Sequence, residues 1–367
     1  MKKLIVLFLL LWLFALPVSA AEGYAEQYEN IGGDKISDNI DEQTQDFFTR
    51  SGIDAKDPNW VNNLTGEKVF LHIWGILKSG AKAPIKSGVL IASIIFLTAS
   101  ITAFGVNTRF ETAIYAAVLC ISVLIANEVL QCVSAAVGVI KGCSAFMLSF
   151  VPVFATVLAI SGKTVTAASM SALLLAVTEI VSSVSSFAVL PLMGGYLALS
   201  IASGVSPLIN SSGIVESFKK LSMWIMSLLG SVFIGVLGIQ TAVNSASDSV
   251  TLRTAKFILG TCVPVAGGVL SEAVSTVSAS VGLLRSSVGI YGVVALLFML
   301  LPIVIELVLW RCVLMLDISL SEMFSLGKIS GILRAVDSML SVLLGVVLLV
   351  GGMFIISLSI VVTAGKT

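Results

Sequence analysis

Long apolar runs fill the chain from Pro84 almost to its end, and this feature restricts the fold more than any other. Each run is near or above the roughly 20 residues that a helix needs to cross the hydrocarbon layer. The runs are apolar on all sides instead of alternating with polar residues, so they predict helices and exclude a β-barrel. The predicted spans are 87–106, 112–131, 143–160, 165–190, 191–210, 221–243, 257–283, 288–311 and 339–363.

Composition agrees with that assignment, because 57% of the residues are hydrophobic, 11% are charged and the mean hydropathy is +1.06. Some of the apolar segments could dip into the bilayer and return, since the basic residues of the later loops do not settle the orientation of every span. The predicted fold is therefore an all-α polytopic membrane protein with roughly seven to nine transmembrane or re-entrant helices.

The first twenty residues have the three parts of a secretory signal peptide. Two lysines precede an apolar run over 4–16, and the small residues 18–20 follow it. That run is too short to span a bilayer comfortably, and a polar segment comes next. We therefore expect residues 1–20 to be a signal peptide, residues 21–83 to lie outside the cytoplasm, and residues 84–367 to form the membrane domain.

The segment over 21–83 is acidic, with 11 of the 21 acidic residues of the chain lying between Glu22 and Glu67. Two interpretations stay open, namely simple solvation of an exposed segment and an electrostatic docking face. Weak helical patterning around Phe47 and Trp74 predicts a small head of loosely packed helices, with some disorder at its start.

An internal repeat with a shift of 111 or 112 residues is suggested by two prolines that keep their spacing and their apolar neighbours. Pro152 and Pro191 in the first copy correspond to Pro264 and Pro302 in the second. The tentative copies cover 112–230 and 224–348. Chance similarity between apolar helices is the alternative. Where Pro152 and Pro264 interrupt a helix, free backbone groups can line a path through the membrane, although prolines also merely kink packed helices.

Four glutamates are predicted at membrane depth, where a charge is costly and needs a reason. They are candidate pore or conduit residues, and the alternative is that each has a polar partner and only fixes packing. The four are Glu128, Glu179, Glu272 and Glu306. Glu306 and Arg311 could neutralise each other, although a separation of five residues is not the best helical spacing for contact.

No catalytic, cofactor or metal site is predicted. Ser161–Thr164 ends like a phosphate-binding loop, but Val157 stands where that motif requires a glycine. His72 is the single histidine, so a histidine-based zinc site or a Ser-His pair cannot be assembled. The five cysteines lie in or beside apolar runs, which indicates small buried side chains, and no basic aromatic patch indicates nucleic acid. We expect a protein that is not an enzyme.

Several strings along the chain, in this order, resemble one known family. They are 57–60 (DPNW), 150–153 (FVPV), 190–195 (LPLMGG) and 211–216 (SSGIVE). Together with the leader and the acidic head, they make the chain similar to the stage III sporulation protein AE family over essentially its whole length. The resemblance implies a protein of the mother-cell membrane around the forespore, in a multi-protein complex that joins the two cells.

In that family the complex looks like a channel or a secretion-like apparatus, with other membrane subunits, a separate ATPase subunit and a forespore-side partner. The resemblance thus implies a conduit subunit required for late forespore gene expression and endospore maturation. An autonomous secondary transporter with a midplane site at Glu179 or Glu272 is an alternative, and a purely structural membrane scaffold is another.

Overall fold

The computed structural model describes residues 24–104, 109–205, 213, 216–236 and 267–364. Of residues 267–281 it describes the backbone alone. Over these ranges the chain is helical and contains no strand. The predicted signal peptide lies outside the described residues.

The head consists of three short helices and a 3₁₀ turn, namely α1 (Tyr24–Asn30), α2 (Asp34–Ser37), α3 (Glu42–Ser51) and Trp60–Asn63. Helix α3 shows how local sequence sets these bounds. It begins where the Asp41 carboxylate accepts a hydrogen bond from the Thr44 backbone N–H at 3.2 Å, and it ends at Gly52, whose φ of +70° is the left-handed conformation that glycine adopts easily.

In the described part of the chain, the body contains eight helices: α4 (Gly66–Gly80), α5 (Lys82–Phe104), α6 (Arg109–Ile160), α7 (Thr164–Val184), α8 (Leu190–Val205), α9 (Glu216–Val236), α10 (Gly267–Met323) and α11 (Gly327–Ala364). A π-helical turn over Ser185–Val189 joins α7 to α8. The described residues contain six stretches that are long and apolar enough to cross a membrane, namely Gly66–Ala103, Glu111–Ile160, Ala167–Ala202, Glu216–Val236, Gly282–Met323 and Gly327–Ser359. These features confirm an all-α polytopic membrane protein.

Several predicted boundaries between spans are wrong. Helix α6 has 52 residues and runs through the predicted break at 132–142, and α10 has 57 residues and runs through the break at 284–287. Isolated charges do not stop a helix when their side chains reach its surface, as the exposed Lys141 does on α6. At 1.5 Å per residue the two helices are about 78 Å and 86 Å long, far more than the ~30 Å hydrocarbon layer.

The core of the bundle lies where α6, α10 and α11 pack together. Phe150 stacks on Phe146 and on Phe154 along one face of α6, with ring centroids 5.6 Å apart in both pairs. Glycine at position 292 gives the ring of Phe150 its space, because a Cβ atom there would overlap the ring. Close approach of this kind, with small residues opposite large ones, holds helices together where the surrounding lipid is as apolar as the side chains.

The head is firmly packed on the bundle, in contrast to the loose packing expected from its sequence. Trp60 is completely buried, and its indole Nε1–H donates a hydrogen bond to the Ser287 hydroxyl on α10 at 3.1 Å. The Phe48 ring packs edge to face on the Tyr291 ring, with the ring centroids 5.3 Å apart, and the ring centroids of Phe47 and Phe298 are 4.7 Å apart. Aromatic residues of the head therefore bury themselves against one face of α10, a long-range contact that local composition does not show.

The predicted internal repeat stays a prediction, because residues 237–266 of its second copy fall outside the described residues. Where both copies are described, they differ locally. Residues 161–163 form the turn between α6 and α7, whereas the positions 111 residues later lie inside α10. Phe187 is 83% exposed, while its counterpart Phe298 is 8% exposed.

Candidate functional site

Two of the four predicted glutamates come together in the interior of the bundle. Glu128 of α6 and Glu306 of α10 are both half-buried, and they lie close enough for their charges to interact. The Ser87 hydroxyl of α5 donates a long hydrogen bond of 3.4 Å to Glu128 Oε1. Three helices thus converge on two carboxylates of the same sign, and the sulfur of Cys132 lies near both.

A third acidic side chain, Asp317 of α10, belongs to this region and was missed by the sequence analysis. It is 4% exposed, and its Oδ2 atom has no hydrogen-bond partner. It faces Gly88 of α5, where an added Cβ would stand 3.5 Å from Oδ2 and would overlap Val313. The signal that could have found it is a lone acid in the apolar run that follows Arg311, but the predicted span ended at 311, before that run.

Arg311 does not neutralise Glu306, as its helical spacing had suggested. Arg311 Nε instead donates to Asp337 Oδ1 of α11 at 2.9 Å, and both side chains are less than one-third exposed. Five residues along a helix rotate two side chains by about 140°, so Arg311 and Glu306 point to different neighbours. The ion pair fastens α10 to α11 and leaves the carboxylates on the other side of α10 without that cation.

The remaining candidate residues do not join this group. Glu179 is exposed on α7 and accepts a 3.4 Å hydrogen bond from Ser183 of the same helix. The side chain of Glu272 and the whole of Pro264 lie outside the described residues. The structure therefore brings together Glu128 and Glu306, and it separates Glu179 from them.

Pro152 does not break α6, which continues through it to Ile160. Because proline has no N–H, the carbonyl of Leu148 loses its usual helical donor. Pro152 lines a partly open depression of about 270 Å³ between α6 and the head. The depression is lined by Ile31, Gly32, Lys35, Leu148, Ser149, Pro152, Val153 and Thr156. It lies at the contact with the head and not in the acidic interior.

The residues that resemble a phosphate-binding loop form the turn between α6 and α7. Gly162 takes φ +80° there, and no strand precedes it. The His72 ring stacks on the Phe47 ring, with the ring centroids 4.0 Å apart, in the aromatic contact between the head and α10. Of the cysteines, 120, 132, 143 and 312 are free thiols, and Cys262 falls outside the described residues.

The head carries its own polar contacts, which join its first and last residues. Burial raises the pKa of the Tyr24 hydroxyl to about 12, and this hydroxyl donates to the Ala55 carbonyl at 3.2 Å. Hydrogen bonds to Glu29 and Asp34 raise the pKa of the exposed Lys56 ammonium. These contacts tie the start of the head to its end.

Chemically, the acidic region can hold positive charge. Carboxylates in an apolar interior without a paired cation take up a proton or bind a cation, because an isolated buried charge is very costly. In the described part of the chain, no group of three or more His, Cys, Asp or Glu side chains is placed to hold a metal ion.

Comparison of the sequence with known proteins identifies the family of this chain. Residues 68–365 match the family described as Stage III sporulation protein AE. The chain is 25% identical over 289 residues to the Stage III sporulation protein AE of Bacillus subtilis (strain 168), an alignment that covers 77% of this chain and 72% of that protein. No solved structure matches. The matched range covers nearly the whole helical body, and the chain belongs to the stage III sporulation protein AE family, a family of sporulation proteins.

Proposed function

We propose that the chain is a membrane subunit of a channel or secretion-like complex between mother cell and forespore, required for late forespore gene expression and endospore maturation. Membership of a sporulation family, over a matched range that includes the whole membrane body, carries this proposal. The chain sits in the mother-cell membrane around the forespore, and its head lies outside the cytoplasm, in the space between the two membranes.

The dimensions of the bundle support a role between two membranes. Helices α6 and α10 are about 78 Å and 86 Å long, so each extends roughly 50 Å beyond a single hydrocarbon layer. The head packs on the part of α10 between Ser287 and Phe298, and it stiffens the bundle there. A rigid extension of this kind offers other subunits a surface that does not depend on flexible loops.

The proposed partners are those that the resemblance to the family implies. Other membrane subunits contact the bundle, a separate ATPase subunit supplies energy, and a forespore-side partner completes the bridge. The chain itself is not an enzyme in this proposal. The turn over Ser161–Thr164 supports this division of labour, since it joins two helices and has no preceding strand to form a nucleotide site.

The direct test is a clean deletion of the gene in its own host, scored after engulfment is complete. A late forespore-specific reporter and the size of the forespore are measured together, with vegetative growth as the control. The proposal predicts a silent reporter and shrunken forespores with normal vegetative growth. Normal spores with an active reporter would refute it.

An autonomous secondary transporter is the second candidate, and the half-buried carboxylates of Glu128 and Glu306 favour it, whereas the exposed Glu179 does not. Glu179→Gln and Glu272→Gln should abolish a transporter that uses those residues at a midplane site, and should weaken a conduit partially or not at all. A purely structural scaffold would be unaffected by either substitution. Solute uptake by the purified chain alone in liposomes would support the transporter and contradict the conduit subunit.

A further inference from the structure

Asp317 is the most deeply buried acidic side chain among the described residues of the bundle. It lies on α10, against the backbone of α5 at Gly88, with Val313 beside it. Its Oδ2 atom has no hydrogen-bond donor, and no ion pair of the described residues includes it. An ionised carboxylate in this position would be almost fully removed from water and would have no counter-charge, which strongly disfavours the charged form.

Two other carboxylates lie on the helices packed around Asp317. On the α6 side, Glu128 reaches α5 at Ser87, the residue next to Gly88. Glu306 lies on α10 itself and interacts with Glu128.

The nearby cations have other partners or point away. Arg311 of α10 is paired with Asp337 of α11, and Arg334 of α11 is paired with Glu322 of α10. The Nζ atom of Lys328 lies 3.8 Å from the ring centroid of Tyr115 on α6. The basic side chains of α5 nearest to Gly88 are exposed, and they are Lys82 and Lys86.

A bound metal ion does not fit these surroundings. Metal ions such as Mg²⁺ and Ca²⁺ need six or more oxygen ligands at short distance. Among the described residues, the Asp317 carboxylate is the one oxygen-bearing side chain in close contact with Gly88, and the other close side chain is the apolar Val313. A proton needs only the one carboxylate.

We propose that Asp317 is a proton-binding site of the membrane bundle, which holds its proton at neutral pH while α5 is packed against α10. The inference goes beyond the proposed function and does not depend on it. Loss of the proton would place a negative charge in the close contact between the two helices at Gly88. Release of the proton would therefore loosen α5 from α10. The packing of these two helices thus depends on whether Asp317 is protonated.

Infrared spectroscopy of the full chain in lipid nanodiscs tests the proposal directly. A protonated carboxylic acid in an apolar site has a carbonyl stretching band that ionised carboxylates lack. The proposal predicts such a band at neutral pH, which shifts when the protein contains isotopically labelled aspartate, disappears in Asp317→Asn and decreases at strongly alkaline pH. Asp337→Asn is the matched control and should keep the band, because the Asp337 carboxylate forms an ion pair with the Arg311 guanidinium.

Each other outcome contradicts the proposal. If aspartate labelling shifts no band in the wild-type protein, Asp317 is ionised, and this result does not depend on whether a variant folds. If the band is lost on addition of Na⁺, Mg²⁺ or Ca²⁺, the site binds a metal cation instead of a proton. If Asp337→Asn removes the band and Asp317→Asn keeps it, the proton belongs to the other aspartate.

Discussion

Replacement of Trp60 by alanine should detach the head from the bundle, because this one side chain makes both a buried and a polar contact across the interface. Its indole ring is completely buried and lies edge to face with Tyr291 at 5.7 Å. Its Nε1–H donates to the Ser287 hydroxyl at 3.1 Å. The substitution leaves a large cavity in the contact between head and α10 and removes the hydrogen bond from the head to Ser287.

Truncation of a buried tryptophan to alanine costs about 3–5 kcal/mol of folding free energy. If the head opens as a unit, the amide hydrogens of its helices should exchange roughly a hundredfold to a few thousandfold faster, since about 1.4 kcal/mol corresponds to a factor of ten. Hydrogen exchange of the full chain in nanodiscs, followed by mass spectrometry of peptides from 24–63, measures this change. Trp60→Phe removes the hydrogen bond but keeps most of the packing, so it should cost about 1–2 kcal/mol.

Trp74→Ala is the matched control, because the Trp74 side chain is 55% exposed on α4. Its effect on exchange in the head should be less than about 0.5 kcal/mol. Equal exchange rates in Trp60→Ala and Trp74→Ala would refute the argument that the head is held by this contact.

Three further predictions concern the bundle and the pH response of the head. Arg311→Leu should lower the free energy of unfolding by about 3 kcal/mol, because it leaves the Asp337 carboxylate unpaired. The double variant Arg311→Leu/Asp337→Leu should recover most of this stability in thermal melts in detergent. An equal loss of stability in the single and the double variant would contradict the prediction. Gly292→Ala should cost about 1–3 kcal/mol in the same melts by overpacking, whereas Gly345→Ala, with open space around it, should not destabilise. The pKa of Tyr24 is raised from 10.0 to about 12, so its contribution to head docking is complete below pH 10 and is lost as pH rises through about 12. Tryptophan fluorescence should show this loss, and Tyr24→Phe should abolish the part due to Tyr24; an unchanged titration would count against it.

The class of fold could be predicted from the sequence because membrane helices depend on hydropathy, which is a local property. The number of separate helices could not, since a charge such as Lys141 ends a predicted span but remains on the surface of a continuous helix. The contact of Trp60 with Ser287 joins residues 227 positions apart. Such a contact is decided by tertiary packing, which no local pattern reveals.

The candidate site was predicted in part. Glu128 and Glu306 were identified by their depth alone, but their proximity depends on how α6 packs against α10. Asp317 was missed because the predicted span stopped at 311, whereas α10 continues to Met323. Arg311 was matched to a neighbour on its own helix, while its true partner Asp337 comes from the next helix.

Purification of the chain from sporulating cells after engulfment, under mild conditions and with an affinity tag, tests the central claim most directly. The mass and protein composition of the particle are measured, with the same purification from vegetative cells that express the chain as the control. The account predicts a large assembly that contains other membrane subunits, an ATPase subunit and a forespore-side protein. A particle of this chain alone that moves solute across liposomes would contradict it.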